Sequence, residues 1–399
     1  MMRLVEVAKL NMGQSPPSSS YNDIGEGLPF YQGKTDFGFI NPVPRKYCNE
    51  PSKIADKGDI LISVRAPVGP VNIANDKCCI GRGLAAIKAS TADQLFLYFN
   101  LIYQESFIAS LGTGSTFKAI NKSQLENVLI PNIPLLEQRK IAHVLSTVQK
   151  AIEQQDNLIR TTTELKKALM QKLFTEGTRG ESQKETEIGL VPESWEVVRI
   201  GDMYKFTSKP RGLDLRSPIP FIPMDMVPLN ELEINKYVLR DQVSSGTYVE
   251  NGDLLLAKIT PSFENGKQGF VSIDKPFAYA TTEVIPIKEK EGISDKFYLF
   301  YFLLKDDIRS QLTGKMEGST GRQRLSKTVL EETLIPKPSL SEQIEIAELY
   351  VSFDKKISAC GNKKQTLIAL FKTLLHELMT GQRRVNELEF EKENLLETT

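Results

Sequence analysis

Hydrophobic residues recur at alternating steps of four and three along two stretches of this chain. From Ile141 the steps reach Ile141, Leu145, Val148, Ile152, Gln155, Ile159, Thr162, Lys166, Leu169 and Leu173, seven of the ten apolar. From Ile346 they reach Ile346, Tyr350, Phe353, Ile357, Cys360, Lys364, Leu367, Phe371, Leu374 and Leu378, nine of the ten apolar. Such alternation over about four heptads is the pattern of a coiled-coil seam. The two series differ by a constant 205 residues, so the seam keeps one register in both. Two unrelated amphipathic helices, each packed on its own domain, would make that register a coincidence. Two matched helices in one chain pair most simply with each other, and with globular domains between them an antiparallel pair is the simplest closure. Ser339 with Glu342 reads as a capping box at the second start, and Gly177 and Gly381 stand where the helices should stop.

An internal repeat with a period of about 200 residues runs through the rest of the chain. Gly114-Ser115-Thr116 is followed by a mixed run to Leu129-Ile130-Pro131, and Gly318-Ser319-Thr320 by a similar run to Leu334-Ile335-Pro336. Glu137-Gln138 and Glu342-Gln343 then follow at equal distance. Upstream, Gly58-Asp59-Ile60-Leu61-Ile62 matches Gly252-Asp253-Leu254-Leu255-Leu256, with Pro67 and Pro261 beyond. A Gly-Asp turn entering an apolar run predicts a turn and a buried strand. Ile87-Lys88 matches Ile287-Lys288, and the apolar stretches Leu95 to Ile102 and Phe297 to Leu304 predict one helix in each half. The plan is domain, helix, domain, helix.

Composition adds little that is unusual. With 399 residues, 40% hydrophobic and 25% charged, the chain has material for two or three domains. Fifty basic residues balance fifty acidic ones, and no segment is basic: residues 1–136 carry 13 against 11, and residues 188–340 carry 20 against 21. DNA binding would therefore rest on local clusters or on a partner's phosphate contacts. The first residues lack the apolar core of a signal peptide, and no stretch approaches ~20 apolar residues, so a cytoplasmic protein with no membrane span is expected. Cys48, Cys78, Cys79 and Cys360 form no C-x-x-C pair, which argues against a zinc ribbon and for a reduced compartment.

Signatures of catalysis fail on inspection. Gly33-Lys34-Thr35 resembles the end of a P-loop, but the required earlier glycine is Leu28. Ser15-Pro16-Pro17-Ser18 lacks both the amide or acid and the aromatic residue with which amino-methyltransferases hold a flipped base. No strand-turn-helix carries a glycine pattern for a cofactor. His143 and His376, the only histidines, fall in the predicted long helices away from the seam, so neither a metal site nor a catalytic residue is expected.

Binding chemistry remains. Lys315, Arg322, Arg324 and Lys327 gather against Glu317 around Gly318-Ser319, and Lys205, Lys209, Arg211 and Arg216 against Asp214. The first half offers Gln14, Ser15, Arg65, Arg82, Ser115 and Lys118 in similarly punctuated loops, and the second adds Lys258. Arginine mixed with Ser, Thr and Gln suits phosphate contact and hydrogen bonding to base edges. A solvated charged loop is the competing account of each residue.

Together with Val191-Pro192-Glu193-Ser194-Trp195, the paired Gly-Ser-Thr, Leu-Ile-Pro and Glu-Gln motifs and the helix after each domain resemble the specificity subunit of type I restriction-modification systems, over nearly the whole chain. The expected fold is α+β: two tandem mixed α/β target-recognition domains separated by two long antiparallel coiled-coil helices, an internal repeat with a pseudo-two-fold. The expected boundaries are a first domain at 1–136, a spacer helix at 137–178, a linker at 179–187, a second domain at 188–338, a second helix at 339–381 and an acidic tail at 382–399. The resemblance implies that each domain reads half of a bipartite site in double-stranded DNA and that the helices act as a ruler. It also implies two methyltransferase subunits carrying S-adenosylmethionine, and restriction subunits carrying ATP and Mg. Two alternatives stay open: the specificity subunit of a system whose partner fuses methyltransferase and nuclease, and a self-contained DNA-modifying enzyme.

Overall fold

The computed structural model describes residues 1–385 except 115–117, 213–217, 230 and 320. It divides into two compact units, Met1–Asn157 with the chain from Gly361, and Leu158–Cys360. Each unit therefore contains one globular domain and one half of each long helix.

In the first unit, Ile60–Ser63 is a central strand with all four residues buried. Its alternate side chains serve different cores, as a pleated strand dictates. Ile60 and Ile62 join the cluster built on helix Gln94–Tyr103, with Phe96, Leu97 and Phe99. Leu61 faces the opposite way, toward Tyr31, Cys78 and Ile80. The strand lies in an antiparallel four-stranded sheet in the order Ala8–Met12, Leu84–Ala89, Ile60–Ser63, Val71–Ile73. A second, five-stranded sheet holds Leu28–Tyr31 parallel to Cys78–Ile80. The second unit repeats the plan. Leu254–Ala257 is central and buried, with Leu254 and Leu256 on the helix side and Leu255 on the other. Its outer sheet again holds a parallel pair, Ile219–Ile222 beside Phe277–Ala280. The Gly-Asp turns also match. Gly58 and Gly252 take φ of +89° and +87°, a region open to glycine at little cost. Asp59 and Asp253 then accept the backbone N–H of Asp56 and Glu250 at 2.9 and 2.8 Å.

The long helices span Leu135–Glu176 and Leu340–Thr380, close to the expected 137–178 and 339–381. Every seam position, from Ile141 to Leu173 and from Ile346 to Leu378, is buried or half-buried. In the first unit Ile141, Leu145 and Ile152 are buried on one helix, and Leu374 and Leu378 on the other, while Val148 and Phe371 are partly covered. In the second unit Leu173, Ile346 and Tyr350 are buried, with Leu169, Phe353 and Ile357 partly covered. The pairing is antiparallel in each unit. Asp156 pairs with Lys364 in the first, Lys166 with Asp354 and Thr178 with Glu342 in the second. The partners' numbers add to 520 each time. Lys166 and Lys364 are charged interruptions of the apolar seam, and each meets an aspartate of the other helix. By the same register Ile152 and Ile357 lie in different units and do not oppose each other.

The repeated Glu-Gln motif ties helix to domain. Gln343, fully buried, accepts the N–H of Asp295 at 3.0 Å and donates to the carbonyls of Ile293 and Pro338 at 3.1 and 3.0 Å. Gln138 accepts the N–H of Asp93 at 2.8 Å and donates to Ile133 at 2.9 Å. Asp93 and Asp295 are the residues that cap the inner helices, accepting from Phe96 and Tyr298 at 2.9 and 2.8 Å. The preceding glutamates differ. Glu137 pairs with Arg384 at 2.9 Å, whereas Glu342 accepts from Thr178 N at 2.8 Å and Trp195 Nε1 at 3.0 Å.

Two expectations need correction. The capping box is only half formed: Ser339 Oγ accepts the Glu342 N–H at 3.3 Å, but the Glu342 carboxylate is committed to Thr178 and Trp195. The linker at 179–187 is not free chain either, because Gln183–Thr186 pairs with Gly189–Pro192 in a hairpin. Gln183–Thr186 resembles a linker because all four residues are polar and none is buried. Gly177 and Gly381 take φ of +63° and +73°, as helix-stopping glycines do. Of the acidic tail, residues 386–399 lie outside the described residues.

Replacing Gln343 with Ala strips partners from the half-buried Asp295 N–H and two carbonyls. At roughly 1–3 kcal/mol per unsatisfied group, the variant should lose at least about 2 kcal/mol in urea unfolding followed by Trp195 fluorescence; an unmoved midpoint would contradict the assignment. Ile152→Asp should lower the circular-dichroism melting temperature more than Ile357→Asp, since only Ile152 is fully buried. Equal shifts would count against the register.

Candidate nucleic-acid interface

Three of the expected residues of the first domain come together. Ser15, Arg65 and Arg82 line one cleft of about 470 Å³ with Gln32, Lys34 and Thr35. The cleft lies where the loop after Ile60–Ser63 meets the turn before Leu84–Ala89. Ser15 Oγ accepts the Arg82 N–H at 3.3 Å. The backbone of Arg65 bridges Ala119, which sets Lys118 beside it. Arg65, Arg82, Lys34 and Lys118 are exposed, have no ion pair among the described residues, and no carboxylate lines the cleft. Gln14 is exposed at the start of the same loop, its N–H bonded to Ile80 O at 3.0 Å. Ser115 lies outside the described residues.

The P-loop resemblance resolves in the same place. Lys34–Asp36 is a single 3-10 turn, and the Asp36 carboxylate takes the Gln32 and Gly33 N–H groups at 2.6 and 3.3 Å. The amides that would cradle a phosphate are thus already occupied, and no long helix follows to supply a dipole. Lys34 and Thr35 still point their chemistry at the cleft, which the sequence reading missed by weighing them only as a nucleotide motif.

In the second domain the hairpin of Glu317–Ser319 and Arg322–Arg324 carries the candidates. It packs on the loop at Lys258: Leu325 N–H reaches Lys258 O at 2.7 Å, and Thr260 exchanges bonds with Gln323. Ser319 and Arg322 are exposed. Arg324 is not a free cation, because its Nε and Nη2 fork onto Glu283 at 2.9 and 2.8 Å. The fork holds the Glu283 carboxyl below its ordinary range, with Lys258 and Arg322 adding to the field. Lys327 is also engaged, with Glu331 at 3.3 Å and over the Phe206 ring at 4.9 Å. Lys209 sits over the Tyr279 ring at 5.7 Å, and Arg211 is exposed; no bond among the described residues joins them to the hairpin. Arg216 and Asp214 lie outside the described residues. Glu283 was missed from the sequence, although counting four places back from the matched Ile87-Lys88 and Ile287-Lys288 leads to Gly83 and Glu283.

All four cysteines are free and buried, and no His/Cys/Asp/Glu group able to hold a metal occurs among the described residues. No helix among them is long and apolar enough to cross a membrane. His143 and His376 are exposed, His376 beside the Tyr103 ring at 5.9 Å.

Comparison with known proteins identifies the family to which the repeat belongs. The family described as "Type I restriction modification DNA specificity domain" matches residues 1–160 and again 192–369. The chain is 51% identical over 169 residues to the putative type I restriction enzyme MjaX specificity subunit of Methanocaldococcus jannaschii, a match covering 42% of this chain and 40% of that protein. It is 30% identical over 318 residues to the MjaVIII specificity subunit of the same organism, covering 76% and 73%. Among solved structures, a type I restriction-modification S subunit from M. genitalium shares the fold with a TM-score of 0.65 at 18% identity, over 94% of each chain. With its family domain present twice, once in each half of the repeat, the chain belongs to the specificity subunits of type I restriction-modification systems.

Proposed function

We propose that this chain is the non-catalytic, cytoplasmic DNA-reading subunit of such a complex, in which each recognition domain reads one half of a bipartite site. The observation that carries the reading is that one scaffold, built twice, presents different chemistry at the same place. In the first domain that place is a cleft lined by cations, hydroxyls and an amide, with no carboxylate; in the second it is an Arg-Glu fork on a hairpin. Two readers of one design but different side chains suit two different half-sites. The long helices would set the spacing and dock two methyltransferase subunits, and restriction subunits would complete the assembly. Methyl transfer with S-adenosylmethionine, and cleavage with ATP and Mg, would belong to those partners.

Each long helix has 42 or 41 residues, or ~60 Å at ~1.5 Å per residue. Half-sites one DNA turn apart are ~34 Å from centre to centre. Inserting one heptad after Thr162 and another at the opposed position near Ser358 keeps the seam in phase and adds ~10 Å of helix. Methylation mapping should then show unchanged half-sites separated by up to about three more base pairs, at ~3.4 Å each. An active variant with the original spacing would remove the ruler from the account. Arg65→Ala with Arg82→Ala should weaken binding to all duplexes alike and flatten the salt dependence, by about 0.9 in log–log slope for each phosphate no longer neutralised. An unchanged slope and affinity would take the cleft out of the interface.

A further inference from the structure

The two domains correspond bond for bond around the reading loops. Val64 donates to Gly83 O and accepts from Ile120 N, each at 2.9 Å. Lys258 donates to Glu283 O at 2.9 Å and accepts from Leu325 N at 2.7 Å. Isolated bridges join Arg65 to Ala119 and Ile259 to Arg324. Gly83 is therefore the counterpart of Glu283, and Ala119 of Arg324. The scaffold forms in the first domain with neither member of the pair. There, a Cβ at position 83 would lie 2.1 Å from the Gln32 carbonyl oxygen, so no carboxylate fits. The Glu283–Arg324 pair is thus not what the fold requires.

Its geometry shows what it leaves available. Glu283 takes the side of the guanidinium, Nε and Nη2. The end edge, with one N–H on Nη1 and one on Nη2, has no partner among the described residues, and Arg324 is exposed. Two parallel donors on a planar edge match the O6 and N7 acceptors of guanine in the major groove. A free arginine would lose rotamer entropy on adopting that pose, and the carboxylate fork removes much of that loss in advance. We propose that Glu283 is a positioning residue that holds Arg324 end-on to read a guanine in one half-site. This rests on the function proposed above.

Competition binding on the full-length chain, purified with its methyltransferase subunits, tests the proposal. Duplexes would carry the mapped site and single substitutions at each G·C pair. Arg324→Ala and Glu283→Ala should lower discrimination at one and the same G·C pair, from a value of roughly 5- to 150-fold toward none, and leave the other half-site unchanged. Glu283→Gln, which keeps the volume, should lose part of it. Arg324→Lys keeps the charge but not the fork, and should lose discrimination with the salt slope unchanged. Discrimination intact in Arg324→Lys or in both Glu283 variants overturns the proposal. So does a uniform gain in affinity on removing Glu283, which would mark it as a charge neutraliser. A wild-type complex with no preference for its site over scrambled DNA would instead contradict the underlying function.

Discussion

Each unit depends on one buried glutamine. Gln138 and Gln343 stand in the first turn of the long helices, and each completes the backbone hydrogen bonding at the start of the inner helix of its own domain. Because an unpaired buried amide is costly, the domain cannot swivel on the helix without breaking these bonds. A loop on the domain is then fixed in direction relative to the helix. In the second unit Glu342 adds a further tie by taking both Thr178 and Trp195.

This anchoring lets the loops vary while the scaffold stays constant. The central strands Ile60–Ser63 and Leu254–Ala257, the Gly-Asp turns and the antiparallel seam recur in both units. Among the differences are two loop positions, Gly83 against Glu283 and Ala119 against Arg324. The proposed interface would let a chain with zero net charge contact DNA. The first cleft has cations with no carboxylate lining it, and in the second domain the acid is forked onto the cation that it neutralises. Neither arrangement needs a basic domain.

Much of the fold was legible in the sequence because burial imposes periodicity. The 4-3 seam, the matched Gly-Asp strands and the helix-stopping glycines each follow from a local rule. The linker was misread because Gln183–Thr186 is a polar strand whose partner strand, Gly189–Pro192, follows at once. The capping box was misread because sequence spacing cannot reveal that Glu342 has a better partner at Trp195. The candidate interface was the least legible part. Arg322 and Arg324 are two residues apart, yet only the second is forked onto a carboxylate, and the difference lies in Glu283, 41 residues away. Lys34 likewise needed the fold to bring it beside Arg65 and Arg82.

The central claim is that this chain selects the DNA sequence that partner subunits modify. Sequencing the host's methylated bases with and without the gene tests it most directly. The account predicts that deletion removes methylation from one motif made of two defined parts separated by a fixed run of unspecified base pairs, and leaves other motifs untouched. A methylated-base map that keeps every motif after deletion, or loses only a single uninterrupted one, would contradict it.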